Sequence, residues 1–333
     1  MRRREPPMYP SSCVAECIAD ARHGQGTSKM INRLAARMVL PWTRREWKGS
    51  WRLLKSLGVA GPANDAAWQN LGERIVRGRW HGYRMIVDPS DWAQRLTYFT
   101  ARYYDTKTQL ALMRLLEPSD RFVDVGANEG MMSLLAARLV GDGGVVDAFE
   151  PHPACVDRIR RQLELNSLPH VRLHAAALGE TAGHADLHFK PDHAGYSTLA
   201  DIDDTQRGTQ SVRVDVLRGD DVLRQDPRPV SVIKIDVEGF EPPALRGLSE
   251  TLTRDRPAVL TEINPHCLKL AGMTPCDVID TLSAHGYEGR RLDCRGETLS
   301  LASLESDWDR RETIDSLWLP RERQASGQWL RAA

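Results

Sequence analysis

The stretch "RFVDVGANEG", residues 121–130, decides how the rest of the chain is read. Its first half is a short apolar run of strand character. The run breaks at Gly126, and by Gly130 a helix is expected, over 130–140. Gly126 and Gly130 let the backbone turn tightly and approach a ligand closely. Asn128 tolerates unusual backbone angles and offers a polar side chain. In an open α/β sheet such a turn lies at the carboxyl ends of the strands, where ligands bind.

Downstream the same alternation repeats. "GVVDAFE" is a strand and 153–166 a helix; "VRLHAAAL" is a strand. Residues 183–215 read as inserted β-structure, with "HADLHF" and "QSVRVDV" as strands. "VSVIKIDV" is a strand, 241–253 a helix, "PAVLTEI" a strand and 274–285 a helix, and "GYEGRRL" and "DSLWLP" close the run. Strands alternating with helices imply a parallel sheet covered on both faces. The fold class is therefore α/β.

Upstream the pattern differs. Residues 1–25 carry turn-formers and charges with little periodicity, so the start is expected to be disordered. Residues 28–58 read as helical. Trp47, Trp51 and Leu54 recur at i, i+4 and i+7, and Gly58 makes a stop. This stripe is expected to pack inward rather than dock a partner. "RIVRGRWHGYRMIVDP" alternates around His81-Gly82, a hairpin pattern. Residues 91–116 return to helical spacing. The organisation is an N-terminal helical extension over 1–70, a lead-in hairpin and helices over 71–120, and the α/β domain over 121–320.

Composition narrows the function. The chain has 333 residues, and its 45 basic residues balance 45 acidic ones. A neutral protein has no global field to draw nucleic acid or an anionic membrane. No run nears 20 apolar residues, and no apolar stretch of signal-peptide length stands at the start, so a cytoplasmic protein is the default. Cys13, Cys17, Cys155, Cys267, Cys276 and Cys294 contain no Cys-x-x-Cys pair and read as reduced packing thiols. Neither nucleic acid nor membrane is expected as a partner. A small-molecule acceptor is expected, and a homodimer is left open.

The loop is not a dinucleotide fingerprint. G-x-G-x-x-G would require glycine at 128, where Asn128 stands, and Asp124 and Glu129 put negative charge beside the ligand. That charge suits a ligand carrying an amine and a sulfonium better than a diphosphate. Glu150 ends the next strand, 24 residues after Gly126. A carboxylate there can accept both hydroxyls of a ribose. These features point to S-adenosylmethionine rather than NAD. Small residues after the third strand, Ala176 and Ala177, leave room for a flat adenine ring.

"FVDVGANEGMMSLLAA", "FEPHP", "NSLPHVRLHAAALGE", "IKIDVEGFEPPALRGL" and "LTEINP" occur in this order and resemble the FkbM family of S-adenosylmethionine-dependent methyltransferases. The resemblance spans roughly 95–290 and leaves out the first 70 residues. It implies the class I methyltransferase fold, Rossmann-like, with a seven-stranded mostly parallel sheet whose last strand is antiparallel. It also implies O-methylation, often of a sugar or secondary metabolite. By motif match, Gly126, Asn128 and Gly130 would line the methionine part of the cofactor, with Asp124 behind them. Glu150 would hold the ribose, Ala176–Ala177 would face the adenine, and Asp236 would sit beside the reacting methyl. The product would be S-adenosylhomocysteine.

Methyl transfer to a hydroxyl needs an in-line approach and a group that takes the proton. Asp236 and Glu238 follow the fourth strand and are the first candidates. His266, after the fifth, is a third, since histidine titrates near neutral pH. Glu241 divides between a helix cap and a site role. Lys234 shares a face with Asp236 and is expected to pair with Asp236 or Glu238, because a buried unpaired lysine is costly. A divalent metal held by Asp236, Glu238 and Glu262 is the rival account, and spacing alone does not establish it. His184, His188 and His193 belong to a lid or substrate loop, with Ser197 nearby. N- or C-methylation, an NAD-dependent oxidoreductase and an inactive methyltransferase-like binding protein are the competing readings.

Overall fold

The computed structural model describes residues 38–45, 47–190, 193–199, 209–292, 298–300 and 313–325. Cys13, Cys17, Cys294 and most of the expected N-terminal extension lie outside them, as does the side chain of His193. The chain divides into two compact units, one ending at Thr106 and one beginning at Lys107.

The first unit holds α1 (Leu40–Thr43), α2 (Ser50–Ser56), α3 (Asp65–Trp68), the antiparallel hairpin β1 (Arg74–Arg77) and β2 (Arg84–Val87), and α4 (Trp92–Thr100). The single helix expected up to Gly58 is interrupted. Gly49 takes φ 91 just before α2, a left-handed conformation that no helix continues through. Leu54 is buried, and Trp51 packs on the same cluster with Trp68, Leu96 and Phe99. Trp47 instead meets Trp42 edge-on at the surface. The buried Arg95 ties this unit together. Its guanidinium donates to Asp65 at 2.8 Å and to the carbonyls of Val59, Gly61, Pro89 and Ser90.

The second unit opens with α5 (Thr106–Leu115) and continues through β3 (Arg121–Val125), α6 (Met131–Val140), β4 (Val145–Phe149), α7 (Pro153–Asn166) and β5 (Val171–His174). Next come β6 (Ala177–Gly179), β7 (Gly183–Lys190), β8 (His193–Thr198), β9 (Gln210–Arg218) and α8 (Gly219–Leu223). The remainder is β10 (Val232–Ile235), α9 (Glu241–Arg246), α10 (Ser249–Arg254), β11 (Ala258–Ile263), α11 (Pro265–Leu270), α12 (Pro275–Ala284), β12 (Tyr287–Leu292), β13 (Thr298–Ser300), β14 (Ile314–Pro320) and α13 (Arg321–Ala325).

The main sheet runs β13-β12-β14-β11-β10-β3-β4-β5. β5, β4, β3, β10 and β11 pair in parallel, while β14 is antiparallel to both β11 and β12. These are the seven strands expected, with the last reversed and inserted between β11 and β12. The short β13 adds an eighth at the edge. The order reverses between β3 and β10, the switch point where such sheets bind ligands. From this point the chain crosses over in both directions, the arrangement that covers both faces of such a sheet with helices.

One expected strand is divided. "VRLHAAAL" does not stay in the main sheet. β5 ends at His174, the Ala176 N–H folds back onto the His174 carbonyl at 2.9 Å, and β6 joins a second sheet of order β6-β9-β7-β8. The partner of β6 is β9, some forty residues on in the chain, a long-range pairing that local pattern does not show. Another tie is ionic. Buried Arg121 donates to Asp147 at 2.8 Å and to the carbonyls of Leu223, Asp226 and Arg228, which fastens the segment before β10 to the sheet.

Candidate functional site

Register places the candidates on one rim. Val125 pairs with Ile235 and with Phe149, Phe149 with His174, and Ile235 with Thr261. The next residue of each strand end therefore lines up across the sheet: Ala175, Glu150, Gly126, Asp236, Glu262. Ala176 and Ala177 follow at once, both buried.

The loop after β3 is built by backbone conformations that the sequence accommodates. Gly126, Asn128 and Gly130 have φ 74, 51 and 75. Both glycines are also required by packing. A Cβ on Gly126 would lie 2.0 Å from the Asp236 carbonyl oxygen, and one on Gly130 would press on Ile159 at 3.1 Å. Gly126 and Ala127 both donate to the Phe149 carbonyl at 3.0 Å, so the loop closes over the end of β4.

Glu150 is buried against that loop. One carboxylate oxygen accepts the Asn128 N–H at 2.7 Å and the other the His152 N–H at 2.8 Å. Burial pushes its pKa up to about 7, against the lowering effect of those two donors. Each oxygen keeps a lone pair for a ligand hydroxyl. Beside it, His152 caps α7 and meets Phe189 of β7 edge-on at 4.5 Å.

Lys234 lies under the loop. Its register partner on β3 is Asp124. Nζ donates to the Gly126 carbonyl at 2.8 Å and sits 3.5 Å from Asp124 and 3.4 Å from Asp236. Burial opposes the charge, yet Asp236 and Asp124 more than offset it and raise the lysine pKa. The expected pairing with Asp236 is present, and Asp124 joins it where Glu238 was the alternative. Asp124 also accepts the Ser133 hydroxyl at 2.6 Å, which leaves its other oxygen buried with no hydrogen bond among the described residues.

Beyond β10, Glu238 takes φ 49, and burial followed by Asp236 pushes its pKa up to about 8. Glu241 opens α9 and is fully buried. One oxygen accepts the N–H groups of Val237 and Gly239 at 3.2 Å each, so it caps the turn before the helix. Burial pushes its pKa up to about 7, and its second oxygen has no partner among the described residues. Glu262 stands opposite Asp315 of β14, and burial together with Asp236 and Glu238 raises its pKa. His266 is exposed in the first turn of α11 and takes no part in these hydrogen bonds.

Two contributors were missed. Cys267 donates from Sγ to Glu238 at 3.2 Å, and the Thr198 hydroxyl donates to the Glu238 carbonyl at 2.9 Å. Reading the cysteines as packing residues hid the first. The second stands next to Ser197, which the sequence places near the substrate loop. His184 is exposed and faces Asp215 at 3.8 Å. Among the described residues, no three His, Cys, Asp or Glu side chains are arranged to hold a metal ion. No helix among them is long and apolar enough to cross a membrane.

A parallel sheet that reverses between β3 and β10, with its last strand inverted and an acid at the end of β4, defines a class I methyltransferase fold. The methyltransferase FkbM domain matches residues 124–288, and over that stretch the chain belongs to this family. Methyltransferase 1 of Beauveria bassiana is 35% identical over 151 residues, which cover 40% of this chain and 60% of that protein. Hexuronic acid methyltransferase AglP of Haloferax volcanii is 28% identical over 209 residues, 60% of this chain and 80% of that protein. The chain spans about three fifths of the length of Methyltransferase 1 and of Methyltransferase sdnD of Sordaria araneosa. Among solved structures, methyltransferase FkbM from Methylobacillus flagellatus is 15% identical, with a TM-score of 0.38 over 68% of this chain and 53% of that one.

Proposed function

We propose that this chain is an S-adenosylmethionine-dependent O-methyltransferase whose acceptor is a hydroxyl on a sugar or secondary metabolite. The observation that carries the reading is Glu150. It is a buried carboxylate at the end of β4, held by two loop N–H groups beside the switch point, with spare acceptor capacity for a ribose diol. The acids after β10, Asp236 and Glu238, fit a ligand bearing an ammonium and a sulfonium. The likeness to a hexuronic acid methyltransferase supports a sugar as acceptor.

The bound cofactor would supply an electrophilic methyl group. The protein's part is positioning and proton transfer. The loop at 126–130 would hold the cofactor's methionine part and Glu150 its ribose. Lys234 fixes Asp236 at the rim. Glu238 takes the acceptor's proton as its oxygen approaches the methyl, a role worth about 10²–10⁴-fold in rate. Thr198 belongs to the second sheet, so β7, β8 and β9 are the elements that meet the acceptor.

Calorimetry with S-adenosylhomocysteine and NADH, then mass spectrometry of products from candidate glycosides with and without EDTA, tests this. Binding of the former and a gain of one methyl on oxygen are expected. NADH binding without S-adenosylhomocysteine binding would sink the reading.

A further inference from the structure

Glu238 is held from two elements at once, β8 and α11. Its left-handed backbone, φ 49, is one that a non-glycine residue keeps only where the surroundings over-determine it. Thr198, at the end of β8, donates to its carbonyl. Gly239 follows at φ 99, packed so closely on α11 that a Cβ there would lie 2.5 Å from the Cys267 carbonyl oxygen. From the same residue of α11, the Cys267 thiol donates to Glu238 Oε2 at 3.2 Å. Among the described residues no other donor reaches the carboxyl, so Oε1 is left available.

We infer that Cys267 is a positioning residue for methyl transfer: its S–H fixes Oε2 of Glu238 and leaves Oε1 to take the acceptor's proton. The inference rests on the reading of Glu238 as the base. In the step, the acceptor O–H proton passes to Oε1. The acceptor oxygen's electron pair forms the new carbon–oxygen bond, and the carbon–sulfur bond breaks with its pair going to sulfur. The Cys267 proton stays in place throughout.

A thiol suits this task here. Burial and the Glu238 charge raise the Cys267 pKa, so the group remains a donor rather than a thiolate. The groups that act on Glu238 are Lys234 from β10, Asp236 just after it, Glu241 from α9, Glu262 from β11 and Cys267 itself. Of these groups, Cys267 and Lys234 favour its ionised form.

The test uses the full-length protein. In Cys267→Ala, kcat should fall about tenfold with the KM for S-adenosylmethionine unchanged, and the acid limb of the pH profile should move up by about one unit. Cys267→Ser, which keeps a donor, should restore both. Alkylation of Cys267 by iodoacetamide, followed by peptide mass spectrometry, gives a readout free of turnover. It should run several-fold faster in Glu238→Gln than in the wild type, because the neighbouring charge is gone. A wild-type pH profile in Cys267→Ala, or equal alkylation rates, overturns the inference. Full turnover by Glu238→Gln removes the base assignment, and the inference with it, whatever the alkylation shows.

Discussion

Lys234 donates from Nζ to the Gly126 carbonyl oxygen at 2.8 Å, so a buried cation on one strand holds the loop that leaves the next. The same ammonium neutralises Asp124 and Asp236. Lys234→Met keeps the stem but leaves Asp124 as an uncompensated buried charge. A loss of about 3–5 kcal/mol in folding stability is expected, read by urea denaturation at pH 7. A loss below 1 kcal/mol would show that the acids manage without the lysine.

Gly126→Ala is expected to be worse than an ordinary glycine substitution. The new methyl would meet the Asp236 carbonyl at 2.0 Å, with φ already at 74. The loop must part from the end of β10, at a cost of about 2 kcal/mol or more. Affinity for S-adenosylhomocysteine should fall with it; calorimetry at wild-type values would show the close approach to be dispensable.

Glu150 links ligand binding to pH. Its folded pKa of about 7 exceeds the ordinary 4.5, so folding favours its protonated form. That stability is present at low pH and is lost as pH rises from about 4.5 through about 7. Ligand hydroxyls favour the ionised form instead. Binding of S-adenosylhomocysteine should therefore tighten as pH rises to about 7, then level off. Glu150→Ala should weaken binding by about 30-fold or more while the fold survives, and should flatten this dependence. Unchanged affinity removes the ribose assignment.

The acids after β10 divide by role. Asp236→Asn should stay folded yet lose turnover by at least about 10²-fold. With Glu238 at a pKa of about 8, kcat/KM should rise with pH, reach half its maximum near pH 8 and level off above that. His266→Gln, at an exposed site outside the cluster, should leave the pH profile in place. A lost alkaline plateau in that variant would move the base from Glu238 to His266.

The α/β core was legible because strands buried on both faces read as continuous apolar runs, and the glycines and acids at their ends punctuate them. Glu150 and Asp236 stood out for that reason. The interrupted helix near Gly49 was not legible, since Trp47, Trp51 and Leu54 keep helical spacing across a residue whose φ is 91. The departure of β6 was hidden because Ala176 and Ala177 extend an apolar run, while the change of sheet is set by pairing Ala177 with Val216. The helix-dipole argument put Glu241 at a helix start. Its bonds to Val237 and Gly239 depend on a turn that spacing does not specify. Cys267 and Glu238 are 29 residues apart, and only tertiary structure joins them.

The parallel pairing of β6 with β9 has an evolutionary consequence. The excursion that starts after Gly179 returns beside its own point of departure, where Gly179 faces Arg218. Lengthening such a closed excursion adds little entropic cost, because its ends are already pinned together. Residues 183–210 can thus diverge in length and composition while β3, β4 and β10 keep their alignment. If β7, β8 and β9 meet the acceptor as proposed, a lineage would change its acceptor by redrawing this one segment and leave the strand ends of the main sheet untouched.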